Sequence, residues 1–372
     1  MPITNCQLSN PSQLDLAIIG AGPAGASAAI TAARAGARVA LFEARDFPRH
    51  KVCGEFVSAE SLDLLSGLLR DAPRAATVWA GAPVIDRMQL LFGGRVIEVE
   101  ISPPGLSISR YDLDALLWDA AHRAGVEAHS DRDVAACYGD GPFTLQTSCG
   151  RHTARAVMVA AGRWSQFTND RTLPPGPKWI GVKAHFHESN PSRSTDLYFF
   201  EGGYCGVQPV ATGIVNACAM VRSDYATSLA QVFALHPKLA QRAAGWHAGT
   251  QTVSTSPLVY RKPQPVRGNM MFVGDAAAFI DPFVGDGISI ALRSGRLAAD
   301  CLSEFWPGRS SLLEGRVAYR REYAAQFSPL IAAAARVRSL LSLPSIAKPA
   351  IFELLRLPGL IPYVIRKTRR AK

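Results

Sequence analysis

A disulfide framework, a basic leader and an unbroken apolar run are all missing from this sequence. The seven cysteines (Cys6, Cys53, Cys137, Cys149, Cys205, Cys218 and Cys301) form no Cys-x-x-Cys pair and are odd in number. That pattern fits free, mostly buried thiols in a reducing compartment. No Lys or Arg precedes Arg34, so the basic start of a secretory signal is absent. Residues 16–33 and 202–221 carry no charge, but Gly and Pro interrupt both, and the second also holds Gln208 and Asn216. Neither is expected to span a bilayer. There is no internal repeat and no Gly-x-Ser-x-Gly nucleophile elbow. A soluble, cytoplasmic protein is expected.

What is present is core-forming. Hydrophobic residues make up 48% and charged residues 19% of 372, which excludes global disorder and suggests two or three lobes. The net charge of +10 is uneven: residues 336–372 hold nine Lys or Arg and one acid, Glu353, leaving +2 for the first 335 residues. The body is therefore no general nucleic-acid surface. Apolar residues 351–365 run directly into Arg366, Lys367, Arg369, Arg370 and Lys372. Two readings of this tail stand. It is either a helix packed on the body with a solvated basic end, or a peripheral contact with an anionic membrane.

Along the chain, Asp15–Gly20 is an apolar run ending in glycine, Pro23–Ala35 is helical, and Arg38–Phe42 is a second apolar run. Strand, glycine turn, helix and strand make a βαβ unit. Tyr111–Ala124 reads as helix, 132–149 as a hairpin around Gly139–Pro142, and Ala156–Ala161 as a buried strand. Residues 84–101 and 178–222 alternate, with turns at Gly93–Gly94, Gly202–Gly203 and Thr212–Gly213, as an antiparallel sheet covered on one face would. From Gly287 onward the chain reads as helix divided by prolines, among them Pro307, Pro329, Pro344 and Pro358.

Chemistry enters with Gly20-Ala-Gly22-Pro-Ala-Gly25, between the first strand and its helix. These glycines allow a tight turn and close approach of the backbone to a pyrophosphate at the helix N-terminus. Glu43 ends the next strand, where a carboxylate can accept from a ribose hydroxyl. Far downstream, Gly274-Asp275 follows an apolar strand, and Asp281-Pro282 and Gly285-Asp286-Gly287 precede a long helix.

With both ends in place, the chain resembles the FAD-binding monooxygenase and geranylgeranyl reductase superfamily over roughly residues 14–305. The resemblance implies an α/β fold: a Rossmann-like, glutathione-reductase-like FAD-binding domain (1–76, 108–170 and 263–306), an inserted antiparallel substrate sheet (77–107 and 171–262), and a helical C-terminal region (307–372). It implies non-covalent FAD, with Asp275 on the ribityl chain, and Pro282, Gly285, Gly287 and Ile288 beside the isoalloxazine. Pro48-Arg49-His50-Lys51-Val52-Cys53-Gly54 is similar to a stretch of the reductase branch that puts the Cys-Gly pair, here Cys53 and Gly54, against the flavin. Arg110 and Gly162 match further cofactor positions. Lys51, His50 and Arg49 around Cys53 suggest a lowered thiol pKa and a catalytic role.

Two stretches depart from the pattern. In Ala161-Gly162-Arg163-Trp164-Ser165-Gln166-Phe167-Thr168, Ala161 and Thr168 replace the acid and base that hydroxylases of the superfamily use toward NAD(P)H. Either NAD(P)H or a separate electron-donor protein could then supply electrons. In Gly203-Tyr-Cys-Gly206-Val-Gln208-Pro, Gly206 and Gln208 replace a Trp and a Phe of the reductases, so the pocket has a different shape. The Trp-x-Trp-x-Ile-Pro pattern of tryptophan halogenases is absent. His185 and His187 share a strand face without an evident third ligand, so no metal is expected. The expected function is FAD-dependent redox chemistry on a hydrophobic small molecule of prenyl, polyketide or aromatic type. Hydride transfer from flavin N5 to a C=C bond leads. A flavin-hydroperoxide monooxygenase and a non-catalytic flavin-binding electron carrier are the alternatives.

Overall fold

The computed structural model describes residues 13–163, 165–168, 176–279 and 285–341. Its first sheet grows around Leu14–Ile19, buried at every residue but Asp15. Val39–Phe42 and Gly150–Val159 flank that strand in parallel, and Glu127–His129 and Met270–Phe272 extend the sheet in the same sense. A strand covered on both faces needs apolar residues throughout, as Leu16–Ile19 provides. The expected hairpin forms as Val134–Tyr138 and Phe143–Thr147, antiparallel to the start of Gly150–Val159.

The helix Pro23–Arg34 follows the glycine turn, and Gly287–Asp300 packs against it. A Cβ on Gly295 would lie 2.1 Å from the Ala24 carbonyl oxygen, so only glycine permits this approach. Ser27 Oγ donates to the Leu292 carbonyl at 2.7 Å across the same contact. Two motifs remote in sequence thus become neighbours.

The second sheet contains Trp179–His187, Ile214–Arg222, Gly203–Ala211 and Ser194–Phe200, then Val84–Phe92, Arg95–Ser107 and the short Phe56–Val57. Alternation assigns its faces. Val182 and Ala184 join Ala217 and Ala219 in an apolar layer with Leu229, Val232 and Leu239, from two short helices not evident in the sequence. Lys183 and His185 turn to the other face. The sheet is not purely antiparallel as expected: Ser194–Phe200 runs parallel to Val84–Phe92. These strands come from separate parts of the chain, so no hairpin sets their relative direction.

Downstream, Pro307 separates two helices, as expected, but Pro329 lies inside the helix Leu312–Leu341. Buried Tyr319, Tyr323, Phe327 and Leu330 pack that helix onto the body on both sides of the proline and offset the lost hydrogen bond. Tyr319 Oη also donates to the Phe272 carbonyl at 2.8 Å. Pro344, Pro358 and the basic tail lie outside the described residues. Among the described residues no helix is long and apolar enough to cross a membrane.

Candidate functional site

The two sheets meet over a cleft of about 1420 Å³. Of the residues singled out in the sequence, Gly20, Gly22, Glu43, Cys53, Gly54, Arg110, Gly162, Gly274, Asp275, Gly285, Gly287 and Ile288 all line it. Gly25 lies just behind, where a Cβ would stand 1.9 Å from the Gly20 oxygen. Pro282 lies outside the described residues.

The geometry suits a dinucleotide. Gly20 has φ +105°, and a Cβ there would stand 2.5 Å from the Ala160 oxygen, so this turn requires glycine. At Gly22 and Gly287 a Cβ would meet nothing closer than Arg110 at 3.9 Å and nothing within 4 Å, respectively. Two helix N-termini therefore present bare backbone to one cleft, where donors and dipoles favour negative groups. Glu43 is buried; it accepts from the Ala21 N–H at 3.2 Å and from Arg49 at 3.3 Å. Asp275 faces the cleft 3.9 Å from Arg163; burial raises its pKa, and the Arg163 and Arg110 charges oppose that.

Beside Cys53 the wall is charged. Arg110 makes a two-pronged bond to Asp114, Nε to Oδ1 and Nη2 to Oδ2, both 2.9 Å, and Lys51 Nζ donates to Asp114 Oδ2 at 2.9 Å. Burial works against the Asp114 carboxylate, but Arg110 and then Lys51 outweigh it and hold its carboxyl below the usual range. Lys51 is thereby spent on Asp114. Burial pushes the Cys53 pKa up, overturning the expected thiolate, with only partial opposition from Arg110.

A second cluster was not foreseen. Glu55 is fully buried and has φ +63°, a left-handed conformation costly for a residue with a Cβ. Its Oε1 accepts from Lys183 Nζ at 2.8 Å and from the Arg110 N–H at 2.7 Å, and its Oε2 accepts from His185 Nε2 at 2.7 Å. Burial opposes the carboxylate here too, but His185 and Lys183 prevail and keep the Glu55 carboxyl below its ordinary range. His50 stands edge-on to His185 with ring centroids 5.1 Å apart. His185 thus has ligand-type neighbours, His50 and Glu55, which the sequence did not reveal; their atoms lie within 4.8 Å of one another. Both Glu55 oxygens are already engaged, and Lys183 supplies the balancing charge that a metal would bring. His187, its partner in the sequence-based reading, is exposed. The available signal was a lone Lys within the buried run Gly181–His185.

Above this wall the cleft turns apolar, lined by Met88, Leu197, Tyr204, Met220, Leu258 and Phe279, with Gly206 and Gln208 among them. Gln208 Nε2 donates to Ser107 Oγ at 2.7 Å. Thr168 does not line the cleft; its hydroxyl accepts from the Ser165 N–H and donates to the Arg163 carbonyl, closing a turn.

A family model for FAD dependent oxidoreductases matches residues 15–48. The menaquinone reductase of Mycobacterium tuberculosis is 28% identical over 349 residues, covering 83% of this chain and 82% of that protein. Digeranylgeranylglycerophospholipid reductase 2 of Methanopyrus kandleri is 26% identical over 317 residues, covering 78% of this chain and 77% of that protein. Among solved structures, the flavin-dependent brominase Bmp2 superposes with a TM-score of 0.77 at 21% identity, covering 96% of this chain and 93% of that one. At that identity the likeness is one of fold, a mixed α/β Rossmann-type architecture.

Proposed function

We propose that this FAD-dependent oxidoreductase is a reductase that saturates a C=C bond in a hydrophobic small molecule. The observation that carries this reading is the continuity of one cleft, from the glycine turn at Gly20–Gly25 to the apolar walls Met88, Leu197 and Met220. An electron carrier needs no such apolar chamber. Of the two reductases named above, one carries geranylgeranyl groups, which are isoprenoid chains, in its substrate's name and the other a quinone, which favours a hydrophobic molecule of that kind.

In this reading the Gly20–Gly25 turn and its helix receive the pyrophosphate, Glu43 a ribose and Asp275 the ribityl chain. Gly285, Gly287, Ile288, Cys53, Gly54 and Arg110 surround the isoalloxazine, and the second sheet is the substrate face of a glutathione-reductase-like FAD domain. FAD supplies two-electron chemistry; the protein orients the substrate and keeps water out. Ala161 and Thr168 favour a separate electron-donor protein over direct reduction by NAD(P)H. The basic tail would hold the enzyme at an anionic membrane, where a water-insoluble substrate dissolves.

The test is anaerobic. Protein reduced with dithionite is mixed with a naphthoquinone carrying an isoprenoid side chain, and with geranylgeranyl lipids, and product mass is read. A gain of two hydrogens that survives re-oxidation of any quinol with ferricyanide, and so lies on a C=C bond, supports the reading. A gain of one oxygen on admission of air assigns a monooxygenase, and protein that neither contains nor takes up FAD overturns the assignment.

A further inference from the structure

Addition of hydrogen across a C=C bond needs a proton as well as a hydride, and the cleft wall offers a group of residues suited to hold one. We propose that Lys183, Glu55 and His185 form a proton store and that His50 passes its proton to the substrate. This rests on the reductase reading above.

Three features separate this cluster from a structural ion pair. First, Lys183 alone would balance Glu55, yet His185 reaches the second carboxylate oxygen from two positions along the same strand. Both carboxylate oxygens are thereby held, Lys183 balances the Glu55 charge, and His185 joins that carboxylate to His50. Second, Glu55 holds its left-handed backbone directly after Cys53-Gly54, which line the cleft. Contacts on both oxygens keep a strained residue at that place. Third, His50 lines the cleft, and its Nδ1 is buried without a hydrogen-bond partner among the described residues. A His50 nitrogen, a His185 nitrogen and a Glu55 oxygen fall within 4.8 Å of one another, a span that one water bridges.

The balance is simple. Reduced FAD is the hydride source; His50 first takes up a proton through His185, and that proton then leaves a ring nitrogen of its imidazolium, which returns to neutral imidazole. Two C–H bonds replace the π bond, the substrate gains two electrons, and His50 is reprotonated from His185 while Glu55 stays ionised. His185 is refilled from solvent. Burial, then the Lys183 and His185 charges, lower the His50 pKa below 6.5 against the pull of Glu55 and Asp112. A proton placed on His50 is thus readily given up. Tyr111 packs on its ring at 5.4 Å, and the Arg110–Asp114–Lys51 group lies one layer beyond. His50 is the catalytic member; Glu55, Lys183 and His185 position and replenish it.

The test uses the full FAD-loaded chain, reduced anaerobically, with the isoprenoid naphthoquinone as probe. In His50→Gln the flavin spectrum should be unchanged while saturation at pH 7 slows about 100-fold, the contribution of a positioned acid. Its rate should climb about tenfold per pH unit on acidification, because hydronium replaces the lost donor. Glu55→Gln strands the Lys183 ammonium, so the Glu55→Gln/Lys183→Met double variant accompanies it, and both should slow the same step. Independently of substrate, histidine ¹⁵N spectra should place the His50 midpoint below 6.5 and show it rising in His185→Gln. A probe left unreduced by the wild-type protein overturns the reductase reading. A probe reduced by wild type and His50→Gln at one rate and with one pH profile overturns the proton path alone. A His50 midpoint unmoved by His185→Gln overturns the coupling whatever the substrate.

Discussion

Lys183 and Glu55, 128 positions apart in sequence, meet at 2.8 Å with essentially no side-chain surface left to solvent. One belongs to a long strand of the second sheet, and the other stands between the cleft-lining Cys53-Gly54 and Phe56–Val57, a short strand of the same sheet, so their bond joins distant strands of that sheet at the cleft.

Removing one partner leaves a charge buried without compensation. Lys183→Met or Glu55→Gln alone should destabilise the fold by about 3–5 kcal/mol, and the double variant should recover a large part of that. Urea denaturation of the four proteins measures it. Additive losses would show that the pair is not coupled.

Acid should act on the same wall. The carboxyls of Glu55 and Asp114 titrate below their ordinary values of 4.5 and 3.8, so folding favours their ionised forms. Their contribution is complete above the unfolded-state values and is lost as pH falls through the folded ones. Thermal midpoints should therefore decline below about pH 4.5, with a shallower decline in the Glu55→Gln/Lys183→Met protein.

Asp275→Ala should lose FAD affinity while keeping its far-ultraviolet dichroism. A charge-assisted hydrogen bond contributes about 1.5–3 kcal/mol, roughly 10- to 150-fold in binding. Equilibrium titration of FAD-stripped protein decides it; unchanged affinity would remove Asp275 from the cofactor site.

Reduction by NADH or NADPH should be slower than turnover with an electron-donor protein, because Ala161 and Thr168 offer no ion pair to the nucleotide. Anaerobic stopped-flow absorbance near the flavin band reads this directly.

The tail prediction concerns membranes. Full-length protein should co-sediment with anionic vesicles and not with neutral ones, and both salt and truncation after Ile365 should weaken binding. If both proteins stay in the supernatant at low salt, the tail does not anchor the enzyme.

Local signals carried much of this architecture. Gly20–Gly25, Glu43 and Gly274–Gly287 could be read because each couples a backbone requirement to a neighbouring strand or helix, and all three reach one cleft. The hairpins around Gly93–Gly94 and Gly202–Gly203 were legible for the same reason. The parallel pairing of Ser194–Phe200 with Val84–Phe92 was not, since no turn encodes the meeting of distant segments. Cys53 misled because charge was counted along the chain: Lys51 spends its ammonium on Asp114, and burial then governs the thiol. Lys183 and His185 carried only the weak signal of polar residues in an apolar strand, and their partner Glu55 became apparent only in three dimensions.

The contact of Gly295 with Ala24 also sets a timetable. The helix that starts at the glycine turn rests on one that begins at Gly287, so a ribosome must deliver more than three-quarters of the chain before both walls of the cofactor cleft exist. Until then the Gly20–Gly25 turn lacks one wall of its cleft. Cofactor capture is thereby placed at the end of synthesis, and a chain cut short before Gly287 would leave the ribosome colourless.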